Sequence, residues 1–389
     1  MRGISSQTSN IWGLTGFLLG LWMLLSIASY VLLAIPREQR FDFYPRWVGA
    51  RAMLRGENSY SDQVTSQIQE GMFGRQLGPE EDQQRFAYSA LITWLLLPFW
   101  LLPFPIAISL WCGLQLLLLL LIPLLMALLL NWRISPASLI IILVFSIFVY
   151  RYPINAYLLG QFIPFCMASL VAAWYCLVHD RPFLASIALI MAMVRPEIIV
   201  FPLVALLIIA WEMGYRRVVA IWIAGIGSLW LLTHLWVGPW EWDFIKGLGA
   251  YQVYSAPIWP PSLFGNNLLA LLFVIAILVW GIWLWKEVKP LVDSERIGWV
   301  LSFTALIGLV LFPQTGNYTL ILGLITVWLI LWVFKGHYLY WILVFSVLCS
   351  PWIFMIIDNR WLSWEHLIIP VCLILLLTFS WWRMHTEGW

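Results

Sequence analysis

Apolar residues along this chain come in long unbroken blocks, not in alternation with polar ones. The first block covers residues 11–35, and a polar stretch follows at 36–85. Residues 86–132 then carry no charge at all. Further blocks cover 136–150, 162–178, 183–194, 198–211, 218–237, 268–285, 297–312, 318–334, 339–357 and 367–382. A helix needs about 20 apolar residues to cross a bilayer core. Outer-membrane barrels alternate at period two, so these blocks predict helices. The expected fold is an all-α polytopic membrane protein, a single transmembrane domain over 1–389 with about twelve crossings. No cleavage site of small residues follows the first block, which is expected to stay as a helix.

Composition agrees. The chain has 389 residues, 62% apolar and 10% charged. Soluble domains carry about 45–50% apolar and about 25% charged residues. That difference excludes a soluble enzyme and a disordered chain. A net charge of +2 excludes nucleic-acid binding through a basic surface. The 28 Trp and 14 Tyr suit long membrane–water interfaces, with membrane lipids as neighbours. The five Cys lie in or beside apolar blocks and form no C-x-x-C pair, which argues against zinc and against a disulfide framework.

Orientation follows from Lys and Arg in short connections. Arg181, Arg216, Arg217, Lys286, Lys289, Arg296, Lys335 and Arg383 fall in alternate connections, which are therefore expected to be cytoplasmic. The others are expected outside: a first extracytoplasmic loop at 36–87 with juxtamembrane helices, a second at 238–267, and short turns at 312–317 and 358–366. Both termini come out cytoplasmic. Residues 86–150 have room for three helices, 88–102, 106–130 and 136–150, and parity requires that one of them not cross fully.

Ionisable groups near apolar blocks are costly and point to sites. On the expected outer side stand Asp42, Arg46, Arg151, Arg195, Glu197, Asp358, Arg360, Glu365 and His366, with Asn155, Gln161, Asn266, Asn267, Gln314 and Asn317. Asp42 lies among Phe41, Phe43 and Tyr44, where partial desolvation favours proton uptake and suits a general base. The alternative is an ion pair with Arg40 or Arg46. Trp47, Ala50, Met53 and Leu54 share a helical face and predict an interfacial helix on the outer leaflet, with Arg51 and Arg55 snorkelling to lipid phosphates. Arg195-Pro196-Glu197 breaks two short blocks, and an Arg there fits an anionic ligand. The alternative is an internal Arg195–Glu197 pair. Glu212 and Arg216 have the spacing of a local i,i+4 pair. His366 reads as an interface residue. No His/Asp/Glu spacing suggests a metal site, and no Walker loop, dinucleotide fingerprint or nucleophile triad is visible.

The outer loop resembles glycosyltransferase family 87, the polyprenyl-phosphate-mannose-dependent type of the GT-C superfamily. The family reads Asp-Phe, an aromatic, Ala-x-x-Leu-x-x-Gly and a Tyr. Here stand Asp42-Phe43-Tyr44, Trp47, Ala50-Arg51-Ala52-Met53-Leu54, Gly56 and Tyr60. The next element is similar to Phe86-Ala87-Tyr88, Pro98, Leu102-Pro103, Ala107 and Leu110-Trp111, with Ser89 and Ala90 in place of two prolines. Gly160-Gln161 matches a Gly-Gln helix start, with Ile163 where the family usually has Asn. Arg195-Pro196-Glu197 is similar to Lys-Pro-Gln. Gly265-Asn266-Asn267 matches an Asn-rich helix start. The segment from Pro313 to Tyr318 resembles a late Pro-x-x-x-x-His-Tyr motif, one residue shorter and with Asn317 in place of His. The match spans about residues 10–335.

The resemblance implies a GT-C-like fold in the plasma membrane and an inverting transfer on the extracytoplasmic side. The donor would be a polyprenyl-phosphate sugar, mannose or another hexose, and the acceptor a lipid or glycan. It implies Asp42 as catalytic base and Arg195 as phosphate ligand. Tyr44, Arg46, Tyr88, Gln161, Glu197, Asn266 and Asn317 would bind substrate. No cofactor is required, and a divalent metal is compatible with the reading. The competing classes are a transporter or flippase of lipid-linked sugars, which predicts internal repeats that the sequence does not display, and a non-enzymatic membrane subunit.

Overall fold

A computed structural model of the chain describes residues 2–37, 41–255, 259–313, 316–357 and 364–387. Arg40, Gln314, Asp358 and Arg360 lie outside the described residues. Every regular element in these ranges is a helix. Helix α1, Arg2–Ser29, continues through a π-turn, Tyr30–Ala34, to Arg37. Helices α2, Phe43–Leu54, and α3, Asp62–Phe73, organise the polar loop. The long helix α4, Phe104–Leu129, follows.

Among the described residues seven helices are long and apolar enough to cross a membrane: Trp12–Arg37, Phe104–Leu129, Arg216–Val237, Asn267–Glu287, Asp293–Leu311, Tyr338–Ile356 and Glu365–Thr386. The pair Pro136–Val149 and Arg151–Leu159, bent by 58°, makes up to eight. The chain is an all-α polytopic membrane protein. Other expected crossings are helices of sub-bilayer length. Ile163–Val178 has 16 residues, about 24 Å at about 1.5 Å per residue, against a core of about 30 Å. Pro182–Ala192 has 11. Gly160, Pro164 and Pro196 account for these short lengths, because each sits at a helix boundary.

The helix ends meet at two levels. Phe104 packs on Phe41 at 6.1 Å, and α4 carries the chain about 38 Å away to Leu129. There Ser294 Oγ donates to Leu129 O at 2.5 Å, Trp132 meets Trp341 at 6.2 Å, and Arg296 pairs with Glu212. At the first level Arg37 Nη1 donates to Leu158 O at 2.8 Å, Asn58 Nδ2 to Asp243 Oδ2 at 2.7 Å, and Asn317 Nδ2 to Glu365 Oε2 at 2.9 Å. Between the levels Asp293–Leu311 and Gly323–Val333 form the interior, almost wholly buried. Peripheral helices present apolar side chains outward, as at Phe17, Leu235 and Ile356. An unpaired polar group in hydrocarbon costs several kcal/mol. Inside, Thr326 Oγ1 donates to Ser302 O at 3.2 Å and Trp328 Nε1 to Ser146 Oγ at 2.9 Å.

Three expectations are corrected. Helix α2 does not lie on the leaflet with one face down. Phe43, Val48, Ala50, Ala52 and Met53 are all buried, so protein covers it on several sides. Arg51 stacks over Trp47 at 4.6 Å, and Arg55 pairs with Glu57 at 2.6 Å. Residues 88–102 do not form one helix. Two single turns, Ile92–Leu95 and Leu97–Trp100, stand there, separated at Leu96, with Pro98 opening the second and Pro103 beyond its end. Glu212 pairs across the bundle with Arg296 rather than with Arg216, which lies over Trp211 at 5.2 Å.

Candidate functional site

Asp42 occupies the N-cap position of α2. Asp commonly caps a helix there with its own side chain, but here it makes no capping bond. Its neighbours explain why it points elsewhere. Phe41 is buried against Phe104. Phe43 is buried among Trp100 at 5.2 Å, Trp111 at 5.7 Å and Phe162 at 6.1 Å. These rings anchor the backbone on both sides of Asp42, whose half-buried carboxylate turns to Gln161.

Arg46 follows four residues later, so it rises from the same side of the helix start. It is fully buried. Its guanidinium packs in the corner of two perpendicular rings, 4.3 Å from Tyr88 and 4.5 Å from Phe162. Nη1 donates to Gly160 O at 3.2 Å, and Nη2 donates to Gln161 Oε1 at 2.9 Å and to the Tyr88 hydroxyl. Nε is buried without a partner. Contact with aromatic rings suits Arg, whose weakly hydrated cation packs against them.

Gly160 ends the Arg151–Leu159 helix with φ +69°. A Cβ there would meet Ile108 Cδ1 at 2.8 Å and Phe43 Cβ at 2.9 Å, so both conformation and space call for glycine. The tight turn sets Gln161 beneath Asp42. Gln161 Nε2 donates to Asp42 Oδ2 at 2.5 Å. Gln161 Oε1 also accepts from Arg195 Nη1 at 3.0 Å. Arg195 stands at the break between Pro182–Ala192 and Pro196–Glu212, with φ −142° and ψ 72°. Pro196 disfavours helix at the residue before it. Arg195 is 5% exposed, donates from Nε to Glu197 Oε1 at 2.8 Å, and lies over Tyr318 at 5.4 Å. The expected Arg195–Glu197 pair is present, but it engages only one edge of the guanidinium.

Six expected residues therefore meet at one helix-end level: Asp42, Arg46, Tyr88, Gln161, Arg195 and Glu197. Burial pushes the Asp42 carboxyl above the usual carboxylate range, against the opposing pull of Arg46, the Gln161 hydrogen bond and Arg195. Among the described residues Asp42 makes no ion pair within 4 Å; its link to the arginines runs through the Gln161 amide. The group combines a proton acceptor with two fixed cations, one carboxylate and one amide. It can take a proton from a hydroxyl and hold an anion. Among the described residues no group of three His, Cys, Asp or Glu could hold a metal ion.

Three expected residues lie elsewhere. Tyr44 stacks on Trp47 at 5.9 Å and meets Phe104 edge-on at 4.9 Å. Its hydroxyl fills the space above Gly71, so it ties α2 to α3. Asn266 is exposed and accepts from Leu268 N at 2.9 Å and Leu269 N at 3.1 Å, as a helix cap. Asn317 belongs to a second cluster. It donates to Glu365 Oε2 and accepts from His366 Nε2 at 3.0 Å, and Tyr152 donates its hydroxyl to the same Glu365 oxygen. Glu365 and His366 are fully buried, so His366 is not an interface residue. Tyr318, next to Asn317, connects the two clusters through Arg195. The sequence offered no sign of Tyr152, which sits in a run of ordinary membrane-edge aromatics.

No family model, curated protein or solved structure matches this chain, and the geometry of its own residues carries the functional reading.

Proposed function

We propose that this protein is a membrane-embedded inverting glycosyltransferase. It would move a hexose from a polyprenyl-phosphate donor to a hydroxyl of a lipid or glycan acceptor at the extracytoplasmic face. The observation that carries the reading is one amide, Gln161, joined to a half-buried carboxylate and to two buried guanidiniums at a helix-end level of the bundle. The resemblance of the outer loop to glycosyltransferase family 87 agrees with it. So does the path of the chain, in which the Lys- and Arg-bearing turns gather at the level opposite the site. On this reading the chain makes twelve passes, some of them short, in a GT-C-like arrangement.

The chemistry assigns each group a task. Asp42 accepts the proton of the acceptor hydroxyl as that oxygen bonds to the anomeric carbon. The bond from that carbon to the donor phosphate breaks on the opposite face, which inverts the configuration. The lipid phosphate leaves with the electron pair, and Arg195 and Arg46 hold its charge. A placed general base contributes about 10²–10⁴ in rate. Preorganised cations stabilise the developing negative charge without reorganising.

A second reading is a transporter or flippase of lipid-linked sugars, favoured by the 58° bend between Pro136–Val149 and Arg151–Leu159. One experiment separates them. Purified protein in liposomes is given radiolabelled polyprenyl-phosphate hexoses and a panel of lipid and glycan acceptors. Transfer predicts label in the acceptor and loss of that label in Asp42→Asn. Label that crosses the bilayer on an intact donor selects the transporter.

A further inference from the structure

We propose that Gln161 is a positioning residue for Asp42: two guanidiniums clamp its carbonyl, so its amide nitrogen is forced to donate to Asp42 Oδ2 and Oδ1 is left to take the proton. The proposal rests on Asp42 acting as the base.

Gln161 is fully buried, and its side chain bonds Asp42, Arg46 and Arg195, so it acts on Asp42 through those contacts. Its backbone is fixed by Gln161 N donating to Ala156 O at 2.9 Å, just after the glycine turn. Its amide orientation follows from the partners. Oε1 faces Arg46 Nη2 at 2.9 Å and Arg195 Nη1 at 3.0 Å, which can only donate. A flipped amide would set NH₂ against two cations and a carbonyl against a carboxylate. The present orientation is therefore the one the network allows, and Nε2 meets Asp42 Oδ2 at 2.5 Å. Among the described residues that is the one hydrogen bond of the Asp42 side chain, which caps no helix and forms no ion pair. One oxygen is thus committed and the other free for chemistry.

The charged and titratable groups around Asp42 come from every packed element. They are Arg46 on its own helix, Arg195 at the helix break with Glu197 on it, and Asp82 and Tyr88 from the loop after α3. A donor on an ionised carboxylate lowers its affinity for protons, so removal of that donor has a readable sign.

Gln161→Met keeps length and removes the donation. Gln161→Glu keeps the acceptor for both arginines and sets a second carboxylate against Asp42, so the lost donation and the like charge both push the Asp42 midpoint up. In purified protein without substrate, the Asp42 carboxyl is followed by infrared titration, its band assigned by its loss in Asp42→Asn. The midpoint should rise by about one unit or more in both variants, a tenfold tighter hold on the proton. In turnover, the acid limb of kcat should move by the same amount. An unmoved or lowered midpoint in folded Gln161→Met overturns the proposal. If that variant does not fold, an unmoved midpoint in Gln161→Glu overturns it equally. A wild-type protein that transfers no sugar removes the enzymatic reading, while the titration still decides whether Gln161 positions Asp42.

Discussion

Arg46 and Arg195 share one acceptor: both guanidiniums donate to Gln161 Oε1, at 2.9 and 3.0 Å, although 149 positions separate them in the chain. Two cations held that close repel each other unless an anion or a dipole lies between them. The Gln161 carbonyl supplies that dipole, and a donor phosphate beside it would add the anion.

Donor binding should therefore depend on each arginine. Arg195→Ala should weaken binding of a polyprenyl-phosphate hexose at least about tenfold, the scale of one charge-assisted hydrogen bond. Arg195→Lys should keep part of it. Arg46→Lys should lose more, because one ammonium cannot reproduce the two nitrogens that bond Gly160 O, Gln161 Oε1 and Tyr88. Equal donor affinity in wild type and Arg195→Ala, by calorimetry or filter binding, would remove Arg195 from the phosphate site.

Turnover should fall by about 10²-fold or more in Asp42→Asn, with donor affinity nearly unchanged. Asn keeps the shape but is not a useful base. If the role of Asp42 were to hold the loop, the substitution would lower donor affinity and thermal midpoint together. Near-normal turnover in well-folded protein would exclude Asp42 from the chemistry, and Glu197 would be the next carboxylate to test.

The pH dependence has a definite sign. Burial raises the Asp42 carboxyl in the folded protein. Turnover should therefore rise with pH along an acid limb lying above the ordinary carboxylate range, and Asp42→Asn should abolish that limb. For stability the same shift runs the other way. A folded-state value above the unfolded one means the folded protein binds the proton more tightly. The contribution is fully present below the unfolded value and is lost as pH rises through the folded one.

Gly160→Ala should cost about 1–2 kcal/mol for the left-handed backbone alone, and more through the approach to Phe43 Cβ. Its thermal midpoint in detergent should drop by several degrees. Turnover per folded molecule should drop too, because the turn sets Gln161. An unchanged midpoint would show that the turn tolerates a side chain.

Sidedness can be read with single cysteines in a background lacking the five native ones. Gln76 and Lys289 are exposed at opposite levels. An impermeant maleimide on intact cells should label Gln76→Cys and should reach Lys289→Cys only after permeabilisation. The reverse pattern would invert the orientation.

Asp42 and Arg195 were legible in the sequence because a charge beside long apolar blocks is conspicuous and costly. Gln161 was legible as a polar residue after a helix-ending glycine, although its two arginines come from distant segments that only the fold brings together. Tyr44 stands apart from the group around Gln161 because neighbouring residues on a helix start point to different sides, and the rotation is set by Phe41 and Phe43. Asn266 illustrates an ambiguity of chemistry: an Asn before an apolar helix signals a cap as readily as a ligand. The reading of α2 as interfacial rested on one apolar stripe, while Phe43, Val48 and Ala52 bury its other sides. Tyr152 and Glu365 lie 213 positions apart, beyond the reach of any local pattern.

The start of the last helix has a bearing on how this protein can be handled. Arg195 rests on Tyr318, and the adjacent Asn317 is fastened on both sides of its amide to Glu365 and His366. The floor beneath the cation is thus bolted to a helix near the end of the chain. A deletion that removes Glu365–Glu387 would look remote from residue 195 on a linear map. It would strip the brace from under Arg195, and a shortened chain would be expected to lose anion binding before it lost its membrane insertion.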